Sequence, residues 1–401
     1  MNREQLYAPV EVNRWQSIAL GIGAIFTIVW AVGTFFNTEQ GLRSWLLGFI
    51  FWGGIRIGSL GILILQYLTG GAWGLVIRRI LEASTRVLPL VALMFIPIIV
   101  FMSTIYGWAN PDPSDEILKW RAIYLNPTSF GVRAIIYFAI WFLFAYLYNS
   151  WSAQQDATTN AEDAAALLGK STAISGPAMV IFGLVVTFAS IDWTMSLDKH
   201  WFSTIWGMLY IAGWGLSGFA FTIALCARLI EREPMSSILG KKHFHDLGKL
   251  MLALVMIWAY FNFSQFLIIY SGNIPEETPW YLMRMKGPWG ILGILLIVFH
   301  FAFPFLLLLS RDLKRNTKRL SWVAIFILVM RLLDMYYQIG PNAYSGEDHG
   351  GAFHLSWLDF VAPIGIGGLW LAYFFHELKK RPLIPPQDPF IDNAIKHGRG
   401  H

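Results

Sequence analysis

The sequence is short of charge and of cysteine, and each shortage excludes whole classes of protein. Only 14% of its 401 residues are Asp, Glu, Lys or Arg, against about 25% in an ordinary soluble domain. One cysteine, Cys226, leaves no internal disulfide, no CxxC metal site, no CxxCH haem attachment and no iron–sulfur cluster held by this chain alone. Cys226 lies in an apolar run and reads as a small buried packing residue. No dinucleotide-binding glycine motif, Walker A motif, HExxH motif or nucleophile elbow occurs in a credible context. Long polar stretches are missing too. No segment between apolar runs reaches the roughly 50 residues that a small domain needs, so there is no room for a soluble catalytic domain.

What the chain has is apolar length. Hydrophobic residues make up 56%, with 19 Trp, 15 Tyr and 30 Phe, and aromatics of this kind gather at membrane interfaces. A spanning helix needs about 20 mainly apolar residues. Ten segments qualify: Trp15–Phe36, Ser44–Leu68, Val87–Trp108, Phe130–Tyr148, Gly176–Met195, Thr204–Leu229, Leu247–Tyr270, Trp289–Leu309, Ser321–Tyr337 and Trp357–His376. The expected fold is therefore an all-α integral membrane protein with ten transmembrane helices, a single polytopic domain over 1–380 and a tail at 381–401. The first 14 residues, MNREQLYAPVEVNR, are too polar for a signal peptide, so the first apolar run is expected to stay as a helix. The net charge of +5 does not point to nucleic acid, because the basic residues cluster between apolar spans. If the loops alternate sides, nineteen of the 30 Lys and Arg lie on the side of the termini, six on the other, and five inside spans. Basic residues mark the cytoplasmic side, so both termini are expected there, in a bacterial inner membrane.

Polar groups inside the bilayer carry whatever chemistry the chain has, because each is costly unless paired or hydrated. Arg56 sits mid-way along helix 2 with no acid on its own helix. Arg133 and Asp192 fall toward the outer ends of helices 4 and 5 and can pair structurally across the bundle. Arg331 and Asp334 are three residues apart on helix 9, a spacing that allows a direct ion pair. His300 lies in the middle of helix 8, where a lone His is more often a hydrogen-bonded core residue than a ligand. Asn262 and Gln265 give helix 7 a polar face. His245, Asp246 and Lys249 stand at the inner mouth of helix 7. Asp198 and His200 follow helix 5 on the outer side, and Asp359 opens helix 10 there. In order, His245, Asp246, Lys249, His300, Arg331, Asp334, Asp198, His200 and Asp359 mark a proton route through the second half. The bland alternative is interface charge plus one internal ion pair. Small residues at Gly54, Gly58 and Gly61, at Gly213 and Ser217, and at Gly365 and Gly368 suit close helix packing. Pro97, Pro304 and Pro363 are expected to kink their helices or sit in a first turn. The inner segment SAQQDATTNAEDAAALLGK suits a short surface helix. The outer loops Ser271–Pro288 and Gly340–Ser356, with Trp280, Tyr281, Tyr344 and Phe353, suit partner docking.

Several segments carry a resemblance: LEASTRVLPL at 81–90, YLNP at 124–127, SLDKHWFST at 196–204, HDLGKLM at 245–251 and FSQFLIIYSGNIPEETPWYLMR at 263–284. With the helix count, they make the chain similar, from about residue 15 to 376, to the ActF-type membrane subunits of bacterial alternative complex III. These belong to the wider NrfD-like family, with the polysulfide reductase membrane subunit. The resemblance implies two four-helix bundles, helices 2–5 (about 44–195) and 6–9 (about 204–339), flanked by helices 1 and 10. It implies a cofactor-free subunit of a quinol:electron acceptor oxidoreductase in a respiratory or photosynthetic chain. Its partners would be an ActC-type membrane subunit, an iron–sulfur subunit and cytochrome c subunits, with haem c and the iron–sulfur clusters on those partners. Quinone or lipid contact is compatible with it; catalytic residues and metal ligands of its own are not expected. The first bundle shows no internal His and, as read here, only Asp192 as an internal acid, whereas quinol oxidation needs groups that take up protons. The resemblance therefore points to a proton-conducting or scaffolding role. A secondary transporter or a structural membrane anchor is the rival reading.

Overall fold

The computed structural model describes residues 6–111, 113–343 and 353–399, and these contain helices but no strand. Ten helices are long and apolar enough to cross a membrane. They are α1 (Glu11–Phe36), α2 (Thr38–Thr69), α3 (Arg78–Val100), α4 (Pro127–Ala157), α5 (Ala161–Leu197), α6 (Trp206–Leu229), α7 (Lys241–Gly272), α8 (Gly287–Leu309), α9 (Thr317–Asn342) and α10 (Leu358–Lys379). A further helix, α11 (Ile391–Arg399), lies in the tail. The chain is a multi-pass, all-α membrane protein, as its hydropathy requires. Lipid cannot satisfy a bare backbone amide, and a helix closes those bonds within itself.

The centre is built on α2 and α6, the two most buried spans. Helices in lipid gain little from apolar burial against one another, so backbone approach and polar contacts hold them. Glycine provides the approach. A Cβ on Gly58 would stand 1.8 Å from the carbonyl oxygen of Trp214, and one on Gly218 would stand 2.6 Å from the amide nitrogen of Ser59. The two helices therefore cross with their backbones in contact. The α1–α10 pair meets in the same way, through Gly23 and Gly368, and lies against α2. Around this spine α3, α4 and α5 gather with α2, while α7, α8 and α9 gather with α6.

Three segments depart from the apolar reading. The third span starts nine residues early, at Arg78, because Arg78, Arg79 and Glu82 are helical and buried. The Ala-rich segment after helix 4 makes no separate helix. It extends α4 to Ala157 and starts α5 at Ala161, leaving a turn in which Asn160 accepts from the Glu162 amide at 3.0 Å. The tail is no free extension. The Leu383 amide donates to Leu6 O at 2.8 Å, and Leu383, Ile384 and Ala394 are buried. Gly240 donates its amide to His243 Nδ1 (3.2 Å), which leaves the Nε2 hydrogen for Ala394 O of α11 at 3.0 Å. The tail thus straps the face that carries both termini.

Pro304 shapes α8. A proline ring clashes with the carbonyl four residues earlier and brings no amide hydrogen. That carbonyl belongs to His300, and Leu296–Ala302 is wound as a wide π-helical turn.

Candidate functional site

The second bundle buries one charged network, centred on α9. Arg331 and Asp334 form an ion pair between Nη1 and Oδ2, and both are almost wholly buried. Asp334 also accepts from Trp258 Nε1 of α7 at 3.0 Å and from Gln338 Nε2 at 3.1 Å. Arg331 Nε faces Ser217 Oγ of α6 at 3.4 Å. Gly213 matters here for a reason beyond helix packing: a Cβ on it would lie 2.3 Å from Arg331 Nη2. The cation occupies the space that the missing side chain leaves. His300 joins from the wide turn of α8, its ring centroid 3.9 Å from that of Trp258. Neither ring nitrogen of His300 has a hydrogen-bond partner among the described residues. π-Helical turns of this kind often mark functional positions. Trp258 therefore links the carboxylate to the histidine, a role its sequence context does not reveal.

The other residues of the expected route are placed differently. His245, Asp246 and Lys249 lie in the first turns of α7 on the terminal face. Asp246 pairs with His397 of α11 at 2.7 Å, with Lys249 at 3.5 Å and with His245 at 3.8 Å. Across the molecule, Asp198 accepts from the backbone amides of His200 (3.2 Å) and Trp201 (3.1 Å), closing a turn. His200 reaches Asp115 at 2.8 Å, and Lys199 reaches it at 3.3 Å. Asp115 caps the short helix Glu116–Arg121 by accepting from the Leu118 amide. That amide, with His200 and Lys199, holds its carboxyl down at about 2. Asp359 is hydrogen-bonded to α2, in the other half of the molecule. Its Oδ1 accepts from Ser44 Oγ (2.6 Å) and Gln40 Nε2 (2.9 Å) of α2, and its Oδ2 accepts from the Ser356 amide (2.9 Å). The cause is the packing of α10 on α2, which turns the first residues of α10 toward the other half.

Arg133 and Asp192 meet in a two-pronged pair at 2.8 and 2.9 Å, with Tyr137 donating to the same carboxylate at 2.7 Å. Asp192 is not the sole buried acid of that half. Glu82 is wholly buried and accepts from Arg79 (2.8 Å) and Ser152 (2.7 Å). Around it Arg78 pairs with Asp388 at 2.6 Å and Arg86 with Glu377 at 3.0 Å, while Arg79 also holds Asp156. Arg56 points its guanidinium at Thr85 O, 3.4 Å away, and has no acid beside it among the described residues. The outer loop 271–288 is also less open than its aromatics suggest. Trp280 is buried and stacks on Trp201 at 5.1 Å. Arg284 lies over the Trp280 ring and donates to Tyr337 O (3.1 Å) and Gln338 O (2.7 Å), capping the end of α9. Burial pushes this guanidinium down to about 9. Most of the second proposed docking loop, including Tyr344, lies outside the described residues. No three His, Cys, Asp or Glu side chains among the described residues stand close enough to share a metal ion.

Compared with known proteins, the chain matches no family model, and no curated protein matches it. The chemical capacity of the site therefore rests on its own geometry. Three donors, one of them a cation, enclose the carboxylate, so a proton can reach it only if Arg331 gives way.

Proposed function

We propose that this chain is a cofactor-free membrane subunit of a quinol:electron acceptor oxidoreductase of the alternative complex III type. Both of its termini would be cytoplasmic, and its partners would be a sister ActC-type membrane subunit, an iron–sulfur subunit and cytochrome c subunits. One observation carries the reading. The two most specific segments of the resemblance, SLDKHWFST and SGNIPEETPWY, lie far apart in sequence yet pack on each other. Trp201 of the first stacks on Trp280 of the second and donates from Nε1 to Glu277 O at 3.0 Å. Two segments kept together in this way form one surface on the face opposite the termini, where the partner cytochromes would dock. Within the complex, the Arg331–Asp334–Trp258–His300 cluster is the proton-exchanging element. Asp246 and His397 would serve it from the cytoplasmic side, and Asp198, His200 and Asp115 would serve it outside.

Purification in mild detergent tests the assignment. Haem c and iron–sulfur absorbance should accompany the chain in fixed ratio. A colourless chain alone, from cells that grow on quinol oxidation, would overturn it.

A further inference from the structure

A cavity of about 300 Å³ opens on the terminal face, away from the α9 network. Three parts of the chain wall it: Leu6 and Tyr7 before α1, Ala153 and Asp156 of α4, and the stretch that follows α10. That stretch contributes two adjacent cations, Lys380 and Arg381, and both reach solvent, with side chains 51% and 22% exposed. Arg381 gives only Nη1 to the protein, to Asn149 O at 2.8 Å. Its Nε and Nη2 make no hydrogen bond among the described residues. Unlike Nε and Nη1 of Arg78, they are not sealed from solvent.

Charge balance shows what Arg381 lacks. It belongs to a cluster of five cations, Arg78, Arg79, Arg86, Lys380 and Arg381, whose ion pairs among the described residues use four acids, Glu82, Asp156, Glu377 and Asp388. The first four cations each have a carboxylate at 3.0 Å or less. Arg381 has only Glu82, at 3.8 Å, and Arg79 already holds that carboxylate at 2.8 Å. Asp156, on the cavity wall, is engaged by Arg79 as well. The cluster is therefore one negative charge short, at the one guanidinium that opens into the cavity. Nε and Nη2 lie on one edge of that guanidinium, the fork that meets two oxygens of an oxyanion. We propose that the cavity binds a phosphate monoester. Two of its oxygens accept from the Arg381 edge and the third from Lys380. A carboxylate would spend both oxygens on Arg381 and leave none for Lys380. The cavity reaches the lower end of the roughly 300–1,000 Å³ of small-ligand pockets, so there is space for the esterified part beside Leu6 and Ala153. A soluble sugar or glycerol phosphate and a phosphatidic acid share this chemistry.

Calorimetric titration of the purified full chain in a non-ionic detergent at pH 7 tests this, with glycerol 3-phosphate in one arm and phosphatidic acid in the other. At least one should bind at one equivalent per chain, and the tighter of the two identifies the source. Glycerate, the carboxylate counterpart of the first, and phosphatidylglycerol, a diester, should each bind about tenfold more weakly than the matching monoester, the worth of one charge-assisted bond. Lys380→Ala should weaken the monoester by about the same factor without changing thermal unfolding, because Glu377 keeps Arg86. Ala153→Leu fills the cavity and should abolish binding, and Arg381→Gln should do the same. Absence of binding in both arms, glycerate or phosphatidylglycerol bound as tightly as its monoester, or unchanged affinity in Lys380→Ala or Ala153→Leu would each overturn the proposal.

Discussion

Removing either half of the Arg331–Asp334 pair should be far worse than removing both. The two side chains are 1% and 2% exposed, and Asp334 is the only acid within ion-pair distance of Arg331 among the described residues. Deleting one partner of a buried pair costs about 3–5 kcal/mol, because the other charge stays behind, whereas replacing both by apolar residues is often neutral. Asp334→Leu and Arg331→Met should each lower the thermal unfolding midpoint in detergent by several degrees, and the double variant should recover most of the loss. Asp334→Asn is less benign than its shape suggests. Three donors surround the carboxylate, from Arg331, Trp258 and Gln338, and the new amide must point its own N–H₂ at one of them. The double variant also separates structure from function, since it restores packing without a carboxyl group. In sealed vesicles it should assemble and oxidise quinol while moving fewer protons per electron. Singles as stable as the double would refute the coupling. A double variant that translocates at the wild-type ratio would make Asp334 a structural lock.

Gly213→Ala should destabilise by about 1–3 kcal/mol, the usual range for overpacking, because its Cβ would meet Arg331 Nη2. Gly215→Ala, whose Cβ would find Leu254 at an ordinary 3.9 Å, should be silent in the same unfolding assay. Deleting 274–284 removes Arg284 and uncaps α9, so the variant should lose thermal stability along with any outer-face partner. An intact unfolding midpoint would contradict the capping role. Acid should loosen the Asp115 clasp. Its carboxyl sits near 2, against an ordinary 3.8, so its stabilisation is complete above about pH 4 and is lost as pH falls through about 2. Protection of 198–202 against hydrogen exchange, relative to the intrinsic rate at each pH, should fall in that window. Reporters fused after Lys380 and within 311–320 should read on one side, and reporters in 271–288 on the other.

The spans were legible because the bilayer imposes one rule on every segment of the chain. Backbone must be helical and side chains mainly apolar for about 20 residues, and that rule is local. Arg331 and Asp334 were legible for the same reason, since three residues on a helix are neighbours whatever the fold. Trp258 was not, because an indole in an apolar helix looks the same whether it fills space or donates to a carboxylate. The bonds of Asp359 to α2 were not legible either, because an alternating topology gives the side of the membrane but not the order of helices around the bundle. The α1–α10 pair settles that order, and it does so through Gly23, which no pattern in the sequence singles out, and Gly368, which reads only as a generic small residue.

Glu82 exposes the deeper difficulty with charge. RRILEASTR looks like a solvated loop, since four of its nine residues are ionic. Its helical spacing says otherwise once a partner helix is allowed. Arg79 and Glu82 are three apart and pair directly, and Arg86, a turn further on, reaches Glu377 of α10. Buried charge on this scale is tolerated only when each ion finds its complement, and here the complements come from α4, α10 and the tail: Asp156, Glu377 and Asp388. Arg78, one of the basic residues expected to orient the protein in the membrane, thus also binds its tail. Truncation at Pro382 tests this double use. It removes Asp388 and His397 together, strands Arg78 as a buried cation, and takes from Asp246 one of its three partners. If the tail were only a topological signal, the shortened chain would insert correctly and unfold at the wild-type temperature. If the charges are structural, it should still insert, because 17 of the 19 basic residues on that face remain, yet unfold at a clearly lower temperature, and Asp388→Asn alone should reproduce most of the loss.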